Sequence, residues 1–254
     1  MRIREIGIEN EKKLLFLPGA ISDYSWYELT LDSLKEDWHI YYVFYDGYHA
    51  PYEKSFQSVE IAARDIIDYF ENCSIKDFDM VYGLSMGGAI ANLIYAKDKF
   101  KIDILIIDES PTRVKMPNFL RPIYRLRNNL GLGILRKSKW IMKKAYPPEI
   151  WTQPGVDVEK DYQETHEFLN RLTFETMKNS YNSALDYEMP KTIPNNDTII
   201  YYLCGEKNKN DMKQFIEEYE KLYPKLIFKI IEDAEHGEFC VMRPKEFSEF
   251  INSF

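Results

Sequence analysis

The sequence predicts an α/β protein, with a mostly parallel central sheet, helices on both of its faces and a helical cap inserted late in the sheet. Three observations carry this reading. Short apolar runs alternate with amphipathic runs over residues 1–110 and again over 191–254. Several of the short runs are almost continuously apolar, as in parallel strands covered on both faces. Between the two stretches, residues 111–190 lose the strand rhythm and hold several prolines, so they read as an inserted helical cap.

The elements follow in order. Arg2 to Ile8 is a short alternating run, closed by a turn at Glu9-Asn10-Glu11. Lys13 to Leu17 is a buried strand ending at Pro18-Gly19, and Asp23 to Leu34 has helical spacing. His39 to Tyr45 is a strand stopped by Asp46-Gly47, and Ser55 to Phe70 is a helix with a cap expected at Ser55. Phe78 to Tyr82 and Ile102 to Ile107 are strands on either side of the helix Ala89 to Tyr95. Beyond the insertion, Thr198 to Leu203 and Leu226 to Ile231 are strands flanking the helix Asp211 to Tyr223. Phe119 to Tyr146 and Lys160 to Leu185 read as the helices of the insertion. Placed between a strand ending at Asp108 and one starting at Thr198, they would lie over the carboxyl ends of the strands, where ligands bind in open α/β sheets.

Composition narrows the class. A chain of 254 residues, 45% hydrophobic and 15% aromatic, can bury a sizeable core. Its net charge of −8 argues against nucleic acid as a general partner. Cys73, Cys204 and Cys240 have no metal-ligand spacing, and their odd number speaks against a disulfide framework and for a reducing, cytoplasmic setting. Charges are scattered through Met1 to Leu15, so no secretory leader is expected there, and no apolar run is long enough to span a bilayer.

The chemistry concentrates at Gly83-Leu84-Ser85-Met86-Gly87-Gly88, which stands between a strand and a helix. Gly-x-Ser-x-Gly in that setting is a nucleophile elbow: small neighbours let the backbone bend sharply and expose the serine oxygen. A plainer reading is a tight turn in which Ser85 caps the helix. His236 lies in a glycine-flanked loop after the last strand and is the candidate base. His39, His49 and His166 sit at a strand start, after a turn and on a mixed helix face, which are weaker settings.

The order of Leu17-Pro18-Gly19-Ala20, the elbow, the helical insertion, Ala234-Glu235-His236-Gly237 and Arg243-Pro244-Lys245-Glu246-Phe247 resembles the α/β-hydrolase superfamily, in particular its capped single-domain members. The resemblance implies a hydrolase core over residues 1–110 and 191–254, with the cap at 111–190 after the sixth family strand. It also implies Ser85 as nucleophile, His236 as base, and the backbone N–H groups of Met86 and Ala20 as the oxyanion hole. Pro18 stands where the family usually has histidine. The triad acid usually follows the penultimate strand, but that position is Asn208. Asp108, at the end of the earlier strand, is placed first, followed by Asn208 as a neutral orienter, then Asp211, then Glu206 or Glu109.

The implied activity is cleavage of a carboxylic ester or thioester through an acyl-enzyme, with no metal or organic cofactor. Two alternatives stay open: a carbon–carbon hydrolase or lyase acting on a carboxylate-bearing substrate, and a non-catalytic binding protein on the same scaffold. The cap adds a separate signal. From Pro111 to Pro148 there are ten Lys and Arg and no Asp or Glu, interleaved with Leu, Ile, Phe and Trp. Three readings remain for it: a cationic rim steering an anionic substrate, weak contact with an anionic membrane surface, or a solvated helix face.

Overall fold

The computed structural model describes residues 1–50, 54–145, 147, 152 and 155–254. Tyr146 and Pro148, at the ends of the stretches read as helical and as cationic, lie outside the described residues. In chain order the elements are β1 (Arg2–Ile6), β2 (Lys13–Leu17), α1 (Glu28–Leu34), β3 (His39–Phe44), α2 (Val59–Asn72), β4 (Asp77–Leu84), α3 (Met86–Ala96) and β5 (Lys101–Asp108). The insertion contributes α4 (Arg121–Lys137), α5 (Lys139–Ala145), α6 (Val158–Arg171) and α7 (Phe174–Asp186). Then come β6 (Ile199–Gly205), α8 (Lys209–Leu222), β7 (Ile227–Ile231), α9 (Glu238–Met242) and α10 (Pro244–Asn252).

The seven strands form one sheet in the order β1-β3-β2-β4-β5-β6-β7. Every neighbouring pair is parallel except β1 with β3. Alternation along the strands divides the core in two. Leu15, Leu17, Val81, Leu105 and Ile107 face α2, α3 and α8, whereas Leu14, Phe16, Met80, Tyr82 and Ile106 face α1, α9 and α10. Because both faces are covered, almost every residue of β2, β3 and the second half of β4 is buried, which is why these strands read as unbroken apolar runs.

The insertion shares this core. Leu132, Met142, Phe168, Leu169 and Met177 belong to the same buried cluster as α2 and α3. Its exit end is fixed by a buried polar knot: Asn92 of α3 donates to the Tyr187 hydroxyl and accepts from the Tyr223 hydroxyl. A fully buried amide with both of its ends satisfied holds position, since breaking either bond strands a polar group away from water.

The cap of α2 differs from expectation. Ser58, not Ser55, is the N-cap, its Oγ accepting from the Ile61 N–H, while Ser55 reaches Thr173 of the insertion. Among the described residues no helix is long and apolar enough to cross a membrane.

Candidate active site

Ser85 sits between β4 and α3 with φ 52° and ψ −114°, a conformation that costs a non-glycine residue about 1–3 kcal/mol. Two constraints hold it there. The Ser85 N–H donates to the Asp108 carbonyl at 2.7 Å, extending the β4–β5 ladder by one bond. The chain then turns so tightly that a Cβ on Gly83 would lie 2.3 Å from the Gly87 oxygen, and one on Gly87 2.1 Å from the Leu17 oxygen. No side chain fits at either position. Ser85 makes no cap hydrogen bond to its helix, so the turn presents its hydroxyl rather than using it.

Ser85 and His236 line one pocket of about 130 Å³ with Ala20, Trp26, Leu84 and Val241. The His236 side chain is 42% exposed, and its Nδ1 lies 3.4 Å from Oε2 of Glu109. Glu109 is buried and follows the last residue of β5 in a left-handed conformation, φ 47°. Its Oε1 accepts from the Gly205 N–H at 2.9 Å and its Oε2 from the Gly237 N–H at 2.6 Å. The carboxylate thus clasps the end of β6 and the histidine loop together.

Asp108 is placed differently from expectation. Its Oδ2 accepts from the Tyr82 hydroxyl at 2.6 Å, on the face of the sheet that α9 and α10 cover, and the ion-pair contact with the ring is made by Glu109 instead. The cause is strand alternation, which sends adjacent side chains to opposite sides. Asn208 stands beside Glu109 and favours its charged form, although the Asn208 Nδ2 has no hydrogen bond of regular geometry. Asp211 is an exposed residue in the first turn of α8, and Glu206 accepts from the Asp233 N–H. Neither is brought to His236.

Burial raises the pKa of both Asp108 and Glu109, and the charge of Glu109 raises that of Asp108 further. Two buried carboxyls side by side hold one proton between them near neutrality. Glu109 accepts from two N–H groups and faces the imidazole, whereas Asp108 accepts from one hydroxyl, an arrangement that favours the charge on Glu109. Burial lowers the His236 pKa, and Asp108 opposes this. A lowered pKa keeps the ring neutral at pH 7.

This proton has a consequence for stability. A carboxyl whose folded pKa is raised contributes stability below its unfolded value and loses it as pH climbs through the folded one. Asp108 is pushed up to about 7, so the window runs from roughly pH 4 to 7. Asp108→Asn, which keeps an acceptor for Tyr82, is expected to gain stability over wild type through that window by up to about 1.4 kcal/mol per pH unit. Thermal melts of both proteins at pH 5 and pH 8 measure it; a difference that does not change with pH would show that Asp108 carries no proton.

The loop Pro18–Ser22 supplies the other side of the pocket. Where the family has a histidine, three tyrosines hold the loop: Tyr27 accepts from the Gly19 N–H, Tyr48 from the Ile21 N–H, and Tyr45 donates to the Pro18 carbonyl. The N–H groups of Ala20 and Met86 have no acceptor among the described residues. His39, His49 and His166 pair with Glu5, the Ala50 carbonyl and Asn170, away from this pocket.

The cations of the insertion do not form the expected rim. None lines the pocket, nor the adjoining groove of about 250 Å³, where Glu28, Asp161 and Glu164 stand among Trp26, Leu29 and Val241. Arg121 and Arg125 pair with Asp186, Lys139 and Lys143 with Glu159, and Arg113 with Glu188.

No protein-family model matches the sequence, and no curated protein matches it either. Solved structures do. An α/β hydrolase family protein from Desulfitobacterium hafniense superposes with a TM-score of 0.77 at 16% identity, covering 99% of both chains. The chain has the α/β-hydrolase fold. An esterase from Exiguobacterium antarcticum shares the fold at a TM-score of 0.76 and 17% identity, covering 99% of this chain and 93% of its own. MenH from S. aureus shares it at 0.69 and 18%, covering 99% and 96%. In this chain the turn at Ser85 follows β4, the His236 loop follows β7, the helical insertion lies between β5 and β6, and the buried Glu109 follows β5.

Proposed function

We propose that this protein is a serine hydrolase that cleaves small carboxylic esters, with Ser85, His236 and Glu109 as its triad and residues 111–190 as its cap. The observation that supports this best is one pocket lined by a strained serine, a histidine backed by a buried carboxylate, and Ala20, whose N–H, like that of Met86 next after the serine, has no acceptor among the described residues. His236 takes the proton as the Ser85 oxygen attacks the ester carbonyl, and the oxyanion accepts from Ala20 and Met86. The alcohol leaves with that proton. Water then adds to the acyl-enzyme by the same route, releasing the acid and restoring Ser85.

The pocket volume suits a short acyl group, and the absence of cations from its lining favours an uncharged one. The alternative of carbon–carbon cleavage on a carboxylate-bearing substrate needs a cation there, and so loses its support. The esterase among the fold's relatives is consistent with the ester reading. A fluorophosphonate probe is expected to label the folded protein at Ser85 alone, located by peptide mass spectrometry. Folded protein that takes up no probe, or takes it elsewhere, would remove the proposal.

A further inference from the structure

Helix α4 carries most of its large apolar side chains outward. Its apolar side chains recur at helical spacing on one side, yet that side faces solvent: Phe119, just before the helix, is 75% exposed, Ile123 63%, Leu126 58% and Leu130 59%. The side that meets the protein is mixed: Leu132 and Asn128 are buried, Arg121 and the half-exposed Arg125 pair with Asp186, and Arg136 donates to the Asn170 carbonyl. Trp140 of α5, 65% exposed, continues the apolar surface. A stripe of this kind is costly in water unless something covers it.

Charge identifies what covers it. Arg127, Lys137 and Lys144 are exposed on these two helices and form no ion pair among the described residues. Lys144 lies 4.1 Å over the Trp140 ring. No Asp or Glu occurs between Pro111 and Pro148, while the rest of the chain is acidic enough to leave the whole at −8. This separation of charge turns the insertion toward a negative surface. A second copy docked by two-fold symmetry would bring the same cations face to face, which is unfavourable. Aromatic and aliphatic side chains flanked by cations match a helix lying in the headgroup region of an anionic bilayer.

We infer that α4 and α5 dock this protein on anionic membrane surfaces, with Phe119, Ile123, Leu126, Leu130 and Trp140 entering the headgroup layer and Arg127, Lys137 and Lys144 meeting lipid phosphates. The inference is independent of the catalytic proposal. Flotation with phosphatidylcholine vesicles, with and without an equal part of phosphatidylglycerol, tests it at low and high salt.

Binding is expected only to the anionic vesicles and is expected to weaken with salt. It should fall about tenfold or more in Leu126→Ser/Leu130→Ser, and about fivefold for each charge removed in Arg127→Gln/Lys137→Gln. Both variants alter exposed side chains, so turnover of a soluble ester should stay at the wild-type rate. Two results would overturn the inference: no binding to anionic vesicles at low salt, or a dimer in sedimentation equilibrium that Leu126→Ser/Leu130→Ser abolishes, which would make a second copy the occupant.

Discussion

Ser85→Ala is expected to lower ester turnover by at least about 10³-fold while leaving the fold intact. The nucleophile is the one group in the proposed mechanism with no substitute: without its oxygen no acyl-enzyme forms, and the oxyanion donors alone retain only a residual rate. Alanine keeps the φ of 52° and hence the strain. Ser85→Gly would be equally inactive and is expected to raise stability by about 1 kcal/mol, because glycine adopts that conformation freely. Rates and melting temperatures of the two variants, read together, separate chemistry from strain. Turnover within tenfold of wild type in Ser85→Ala would sink the proposed mechanism.

Glu109→Gln is expected to cost about 10²- to 10⁴-fold in kcat, with Asp108→Asn staying within about tenfold of wild type. Glutamine can still accept a hydrogen bond, but it brings no charge to stabilise the imidazolium and cannot accept from both Gly205 and Gly237 while facing the ring as the carboxylate does. Part of the loss is recovered from an adjacent source. With its neighbour neutral, Asp108 loses the repulsion that raises its pKa and ionises more readily. Removing the nearer anion should also lower the His236 pKa, moving the limb of the rate profile that reports the neutral base to lower pH. If the two variants exchange these ranks, Asp108 is the acid and Glu109 only ties two loops together.

The sheet was legible because its signals are local. Continuous apolar runs mark β2 to β5, and the Gly-x-Ser-x-Gly spacing reports a steric demand now visible as contacts of 2.1 and 2.3 Å for a hypothetical Cβ. The loop that holds His236 was legible for a similar reason, being marked by a glycine and a neighbouring strand. The position of the proposed acid depends on a non-local detail. Asp108 and Glu109 are adjacent, chemically alike and both at a strand end, so the choice between them rests on alternation and on the kink at φ 47° that aims Glu109 at the histidine loop. The tyrosines that hold the Pro18–Ser22 loop come from three separate places in the chain and leave no spacing to read. In α4 the amphipathic pattern was plain, but which side faces inward depends on Asp186 and Asn170, residues far along the chain.

The kink after β5 also decides how this scaffold could be rebuilt. With the acid at residue 109, the proposed nucleophile, acid and oxyanion donors all precede the insertion, and only the base follows it. The turn after β6 therefore has no carboxylate to deliver. A foreign segment in place of residues 111–190 would have to cover the core faces now met by Leu132, Met142, Phe168, Leu169 and Met177 and give Asn92 a partner in place of Tyr187, but it would not have to carry any of the proposed catalytic groups. On the proposed mechanism, the segment that shapes the pocket mouth and the segments that hold the reacting groups are thus separate stretches of chain.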